Sequence, residues 1–196
     1  MLEYFGVITG LLYLFFEIKQ HRAMWVVGIL SSLVYVYVFF LAKVYATMGL
    51  NLYNVCIGIY GLWQWSLKKQ RANGQTVSRH VILYKHLTWR GVGVLSSVLV
   101  LIYAFIFYGL SHYTDSPVPV WDSVVTTIGI VATWMLARRI IEHWICWIVA
   151  DLLSIYIYYR LALYPTLFLY FCYTVLAFAG YYVWKTKGIK GDGNVL

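Results

Sequence analysis

"GVGVLSSVLVLIYAFIFYGL", Gly91–Leu110, is a run of twenty residues without one Asp, Glu, Lys or Arg. A helix needs about 20 apolar residues to cross the hydrocarbon core of a bilayer, so the run predicts a transmembrane span. It stands in the middle of the chain, and counting outward from it decides the fold. Upstream, Ala23–Ala42 and Val44–Leu67 are equally free of charge, and the shorter Tyr4–Phe16 crosses with its flanking residues. Downstream stand Ser123–Ala137, His143–Tyr159 and Leu161–Trp184. Three spans precede the central one and three follow it.

Composition agrees with membrane residence. Of 196 residues, 62% are hydrophobic and 11% charged, against roughly 25% charged in soluble domains. The mean hydropathy is +0.74, so the chain cannot clothe a globule in polar surface. The formal net charge of +8 is a matter of topology. With seven spans, 13 of the 15 Lys and Arg fall on one side: Lys19, Arg22, Lys68, Lys69, Arg71, Arg79, Lys85, Arg90, Arg138, Arg139, Lys185, Lys187 and Lys190. Lys43 and Arg160 fall on the other. Basic loops stay in the cytoplasm, which puts the N-terminus outside and the C-terminus inside an inner (cytoplasmic) membrane, and argues against nucleic acid as a partner. Cys56, Cys146 and Cys172 are far apart in apolar runs and make no metal-ligand spacing. Glu3 precedes the first apolar run and no basic leader is evident.

Sliding the chain by 119 residues aligns Gly10 with Gly129, Trp25 with Trp144, Tyr37 with Tyr156, Tyr45 with Tyr164, Thr47 with Thr166, Gly61 with Gly180 and Trp65 with Trp184. Lys19 meets Arg138 and Lys68 meets Lys187. One fixed offset thus serves three successive spans and their basic loops, the mark of an internal repeat. Two three-span units point the same way across a bilayer only if a single span joins them, and Gly91–Leu110 fits that place. The expectation is an all-α membrane protein of seven transmembrane helices in a 3+1+3 arrangement of parallel three-helix repeats. Residues 1–67 form the first repeat, 68–110 the cytoplasmic loop and linker helix, and 121–187 the second repeat. Transporters commonly hold substrate between such repeats, near the midplane.

One span carries unusual polar cargo. In "EHWICWIVAD", Glu142–Asp151, the residues Trp144, Trp147 and Asp151 are spaced i, i+3, i+7 and share a helical face, which Ser154 and Tyr158 extend. A carboxylate at mid-span costs about 2.5–3.5 kcal/mol on insertion scales, so it faces protein or a wet cavity. Two indoles beside an acid make a clamp for a flat organic cation; packing of the tryptophans and pairing of Asp151 with a neighbouring helix is the plainer alternative. In the first repeat the same places hold Trp25, Gly28 and Ser32, so the pseudosymmetry yields one site and not two. The third span adds a stripe of Asn51, Asn54, Gly58, Gly61 and Trp65, whose amides either bond across helices or read a ligand. The aligned stripe in the second repeat is Tyr170, Tyr173, Ala177, Gly180 and Trp184. Glu17 reads as a local ion pair with Lys19 and Arg22, and Glu142 as a structural residue four after Arg138. No phosphate loop, nucleophile elbow or paired zinc histidines occur, so neither an enzyme nor a bound cofactor is expected.

The signature Trp144, Trp147, Asp151 matches a WxxWxxxN/D pattern, and "IYGLWQW", Ile59–Trp65, matches an aromatic-flanked IYGxxxW closing the third span. On these the chain resembles the Pnu family of vitamin-precursor transporters, best known through its nicotinamide riboside branch, PnuC. The resemblance covers nearly the whole chain. It implies a seven-helix core related in architecture to the SWEET sugar transporters. It also implies facilitated diffusion of an unphosphorylated vitamin precursor, which a cytoplasmic kinase then traps. The site residues it carries over are Trp144, Trp147, Asp151 and Asn51; Asn54, Tyr158 and Trp25 join them on the reading of the stripes above. Asp151 stands where the nicotinamide riboside branch tends to have Asn, Gly58 precedes the IYG where that branch has Asn, and Ala179 replaces an expected Asn. Thiamine, with a permanent thiazolium charge, therefore leads as substrate, before nicotinamide riboside and riboflavin. Packing of small residues fits a monomer and a homo-oligomer equally.

Overall fold

The computed structural model describes residues 2–41, 45–67, 71–72, 75–76, 82–113, 119–162 and 164–191. The basic residues Lys43, Lys68, Lys69 and Arg79, used above for orientation, lie outside them. Seven helices follow one another: α1 (Leu2–Ile18), α2 (Ala23–Leu41), α3 (Tyr45–Leu67), α4 (Trp89–Tyr113), α5 (Pro119–Ala137), α6 (His143–Arg160) and α7 (Tyr164–Lys187). Helix α5 opens on Pro119, whose fixed φ suits a first turn, and carries Asp122 there, where a negative charge meets the helix dipole favourably. By length and composition α2, α4, α5 and residues 166–187 of α7 suffice to cross a membrane. Helices α3 and α6 are polar for their length, since they carry Asn51, Asn54, Gln64, Asp151 and Ser154.

Two compact units divide the chain at Ile82–Leu83. In the first, α2 packs on both α1 and α3. In the second, α6 is the central helix, packed on α5 and α7, while α4 packs on α5. The expected linker helix is therefore an integral part of the second unit. Val131 and Met135 of α5, with Ile140, form its apolar core together with Leu95, Leu99 and Ile102 of α4.

The helices are not the only regular elements. The two-residue strands β1 (Arg71–Ala72) and β2 (Gln75–Thr76) pair antiparallel, and β3 (Leu83–Tyr84) pairs parallel with β4 (Ile189–Lys190). The segment around β3 is a strap within the second unit. Gly191 donates its N–H to Tyr84 O at 2.8 Å, Lys85 N–H to Arg139 O at 2.9 Å, and Ile141 N–H to Lys85 O at 3.0 Å. The strap therefore ties the end of α7 to the α5–α6 turn.

The two interhelical turns that lead into α2 and α6 share one geometry. Gln20 and Arg139, 119 residues apart, have φ of 51° and 60°. Each follows its helix in a Schellman arrangement. Gln20 N–H bonds Glu17 O and His21 N–H bonds Phe16 O; Arg139 N–H bonds Leu136 O and Ile140 N–H bonds Met135 O. The contact between the helices after each turn is also shared. Trp25 meets Trp65 edge-on at 5.6 Å and 89°, and Trp144 meets Trp184 at 5.8 Å and 87°. Each first indole lies flush on a glycine of the next helix. A Cβ at Gly61 would stand 2.5 Å from the Trp25 ring, and one at Gly180 would collide with Trp144 in the same way.

Candidate functional site

Helix α6 is fixed at its start by aromatic packing. His143 is buried, donates Nδ1–H to Ile140 O at 2.6 Å, and has Trp144 and Trp184 within 4.7 and 4.9 Å of its ring. Trp144 is fully buried on Gly180 of α7. Trp147, half-buried, turns to the other neighbour: a Cβ at Gly129 of α5 would stand 3.6 Å from its ring. The two indoles of the signature thus diverge, one toward α7 and one toward α5. Both keep a buried Nε1–H with no acceptor among the described residues, as does Trp25 in the first unit.

Asp151 follows one turn beyond Trp147 and is 6% exposed. Ser154, next on the stripe, spends its hydroxyl on Ala150 O at 2.8 Å. Tyr158 closes the stripe against α7, where its ring lies 5.2 Å from that of Tyr170 and the two side chains share a hydrogen bond. Tyr170 also feels the charge of Asp151 and meets Tyr173 edge-on at 5.8 Å. The structure therefore brings Asp151 and Tyr158 together with Tyr170 and Tyr173, two residues not among the candidates read from sequence. Their signal was present, since they occupy the stripe that the 119-residue offset aligns with Asn51 and Asn54.

In the first unit Asn51 and Asn54 are half-buried on α3, and Trp25 is buried on Gly61. Glu17 is 1% exposed and close to Tyr13, while the Lys19 ammonium lies 4.1 Å from the Phe15 ring. Glu142, expected beside Arg138, has its partners 55 and 56 residues away: His86 Nδ1–H donates to Oε1 at 2.8 Å and Leu87 N–H to Oε2 at 3.3 Å. It holds the strap to the start of α6.

A family model described as nicotinamide mononucleotide transporter matches residues 1–186. Over 213 residues the chain is 24% identical to the nicotinamide riboside transporter PnuC of Escherichia coli (strain K12), covering 100% of this chain and 89% of that one. It is 29% identical over 193 residues to the PnuC of Neisseria mucosa, covering 94% and 72%. It is 25% identical over 194 residues to the riboflavin/roseoflavin transporter RibM of Streptomyces davaonensis, covering 97% and 87%. The crystal structure of the vitamin B3 transporter PnuC superposes with a TM-score of 0.71 at 27% identity, over 94% of this chain and 80% of that chain. Helices apolar enough to cross a bilayer, in a fold that superposes on that of PnuC, are those of a multi-pass membrane transporter. The chain belongs to the nicotinamide mononucleotide transporter family, the family of PnuC.

Proposed function

We propose that this chain mediates facilitated uptake of an unphosphorylated, cationic B vitamin or vitamin precursor across the inner membrane. The observation that carries this reading is Asp151, a carboxylate almost wholly buried on α6, whose charge acts on Tyr170 of α7. A carboxylate at this depth faces protein or a wet cavity, and from there it attracts a flat cation, which stacks on aromatic faces besides. Asp151 is the counter-charge, Trp147 and Tyr158 supply aromatic faces, and Trp144, packed on Gly180 and Trp184, holds α6 against α7. Asn51, Asn54 and Trp25, the other candidates read from sequence, lie in the first unit. Nicotinamide riboside heads the candidates, because transporters of that substrate are among the relatives. Thiamine is the second reading, favoured by the carboxylate at position 151; riboflavin, the cargo named for one relative, is neutral and comes third. The N-terminus lies outside and the C-terminus in the cytoplasm, where a kinase traps the cargo. The repeated turns and Trp–Gly–Trp contacts at one offset support descent from two three-helix repeats joined by α4.

Uptake of labelled nicotinamide riboside, thiamine and riboflavin into proteoliposomes tests the proposal. Saturable uptake of a cation, unchanged when the proton gradient is dissipated, is the expected result. Proton-coupled transport, which the burial of Glu17 on α1 favours, instead requires uptake to follow the gradient.

A further inference from the structure

We infer that Tyr170 of α7, paired with Tyr158 of α6, is a specificity-determining residue that makes the Asp151 site prefer flat cations over flat neutral rings. The inference rests on the reading of Asp151 given above. Tyr158 lies seven residues beyond Asp151, two helical turns or about 10 Å along the same face of α6. Tyr170 reaches that face from α7: it senses the Asp151 charge, shares a hydrogen bond with Tyr158, and sets its ring 5.2 Å from the Tyr158 ring at 31°. Tyr173, edge-on at 5.8 Å, backs Tyr170 from its own helix. Each ring face carries negative potential, and so does the carboxylate. A positively charged ring lying along this stripe meets attraction at both ends; a neutral ring gains only stacking. The hydrogen bond orients the Tyr158–Tyr170 pair, so that the faces are fixed before a ligand arrives. The 119-residue offset puts Ser32, Phe39, Asn51 and Asn54 at the corresponding places of the first unit. Neither the acid nor a tyrosine occurs there, which assigns the cation preference to the second unit.

The test is a set of dissociation constants on the purified full chain. The cationic probes are nicotinamide riboside and thiamine; the neutral ones are the dihydro form of nicotinamide riboside and riboflavin. Tyr170→Leu keeps volume without a π face, and Tyr170→Phe keeps the face without the hydroxyl. Thermal unfolding in detergent identifies a variant that has lost its fold. In the wild type a cation binds more tightly than its neutral counterpart. Tyr170→Leu is expected to lose on the order of tenfold for the cation and little for the neutral probe, while Tyr170→Phe keeps most of the preference. A folded Tyr170→Leu protein with the wild-type preference overturns the inference. A wild type that binds no cation, or Asp151→Asn with undiminished preference, overturns the underlying reading instead.

Discussion

Asp151 lies on α6 and Glu142, nine residues before it, at the helix's N-cap; they do opposite things, which their surroundings explain. Asp151 is buried and its charge acts on Tyr170, and a hydrogen bond to a charged group contributes about 1.5–3 kcal/mol. Asp151→Asn should therefore weaken cation binding ten- to hundredfold while leaving the thermal midpoint of the protein nearly unchanged; equilibrium binding and thermal unfolding in detergent read the two effects separately. Glu142 is partly exposed and bonds His86 and Leu87. Glu142→Ala is expected to cost about 1 kcal/mol of stability, seen as a lower unfolding midpoint, with affinity for the cargo retained. The acid and its Trp stripe were legible in sequence because a charge inside an apolar run stands out. The divergence of the indoles was not: three residues differ by about 60° around a helix, enough to send Trp144 to α7 and Trp147 to α5. Nor does any local pattern join Glu142 to a histidine 56 residues away.

At the scale of helices and turns, the seven described helices fall close to the seven segments read from sequence. The turns were harder to read. Gln20 and Arg139 take the left-handed conformation that glycine usually fills, so no glycine announced the Schellman ends of α1 and α5. The strap was equally hidden, since two-residue strands leave no alternation to detect. The Trp–Gly contacts are where packing between helices is tightest. Gly180→Ala places a methyl inside the Trp144 ring and is expected to destabilise by about 1–3 kcal/mol, and Gly61→Ala against Trp25 by a similar amount. Chemical denaturation in detergent checks both. Shrinking the opposed ring should return part of the loss: Gly180→Ala with Trp144→Phe is expected to be more stable than Gly180→Ala alone.

For the whole molecule, the offset of 119 residues is legible in the sequence alone, and it aligns the tryptophans and glycines that make the paired contacts. What it did not convey was that α4 packs on α5 as a member of the second unit, because linker and partner helices are equally apolar. Under the facilitated uptake proposed above, no energy comes from ATP or an ion gradient, so net uptake should halt when the internal and external free cargo become equal, and resume when an internal trap removes it. The measurement that bears most directly on this reading is quenching of the intrinsic tryptophan fluorescence by nicotinamide riboside, thiamine and riboflavin, in the wild type beside Asp151→Asn. Saturable quenching by a cation, lost in the variant, is the expected result. Equal binding of that cation by both proteins, or a preference for neutral riboflavin, would contradict a cation site built on Asp151.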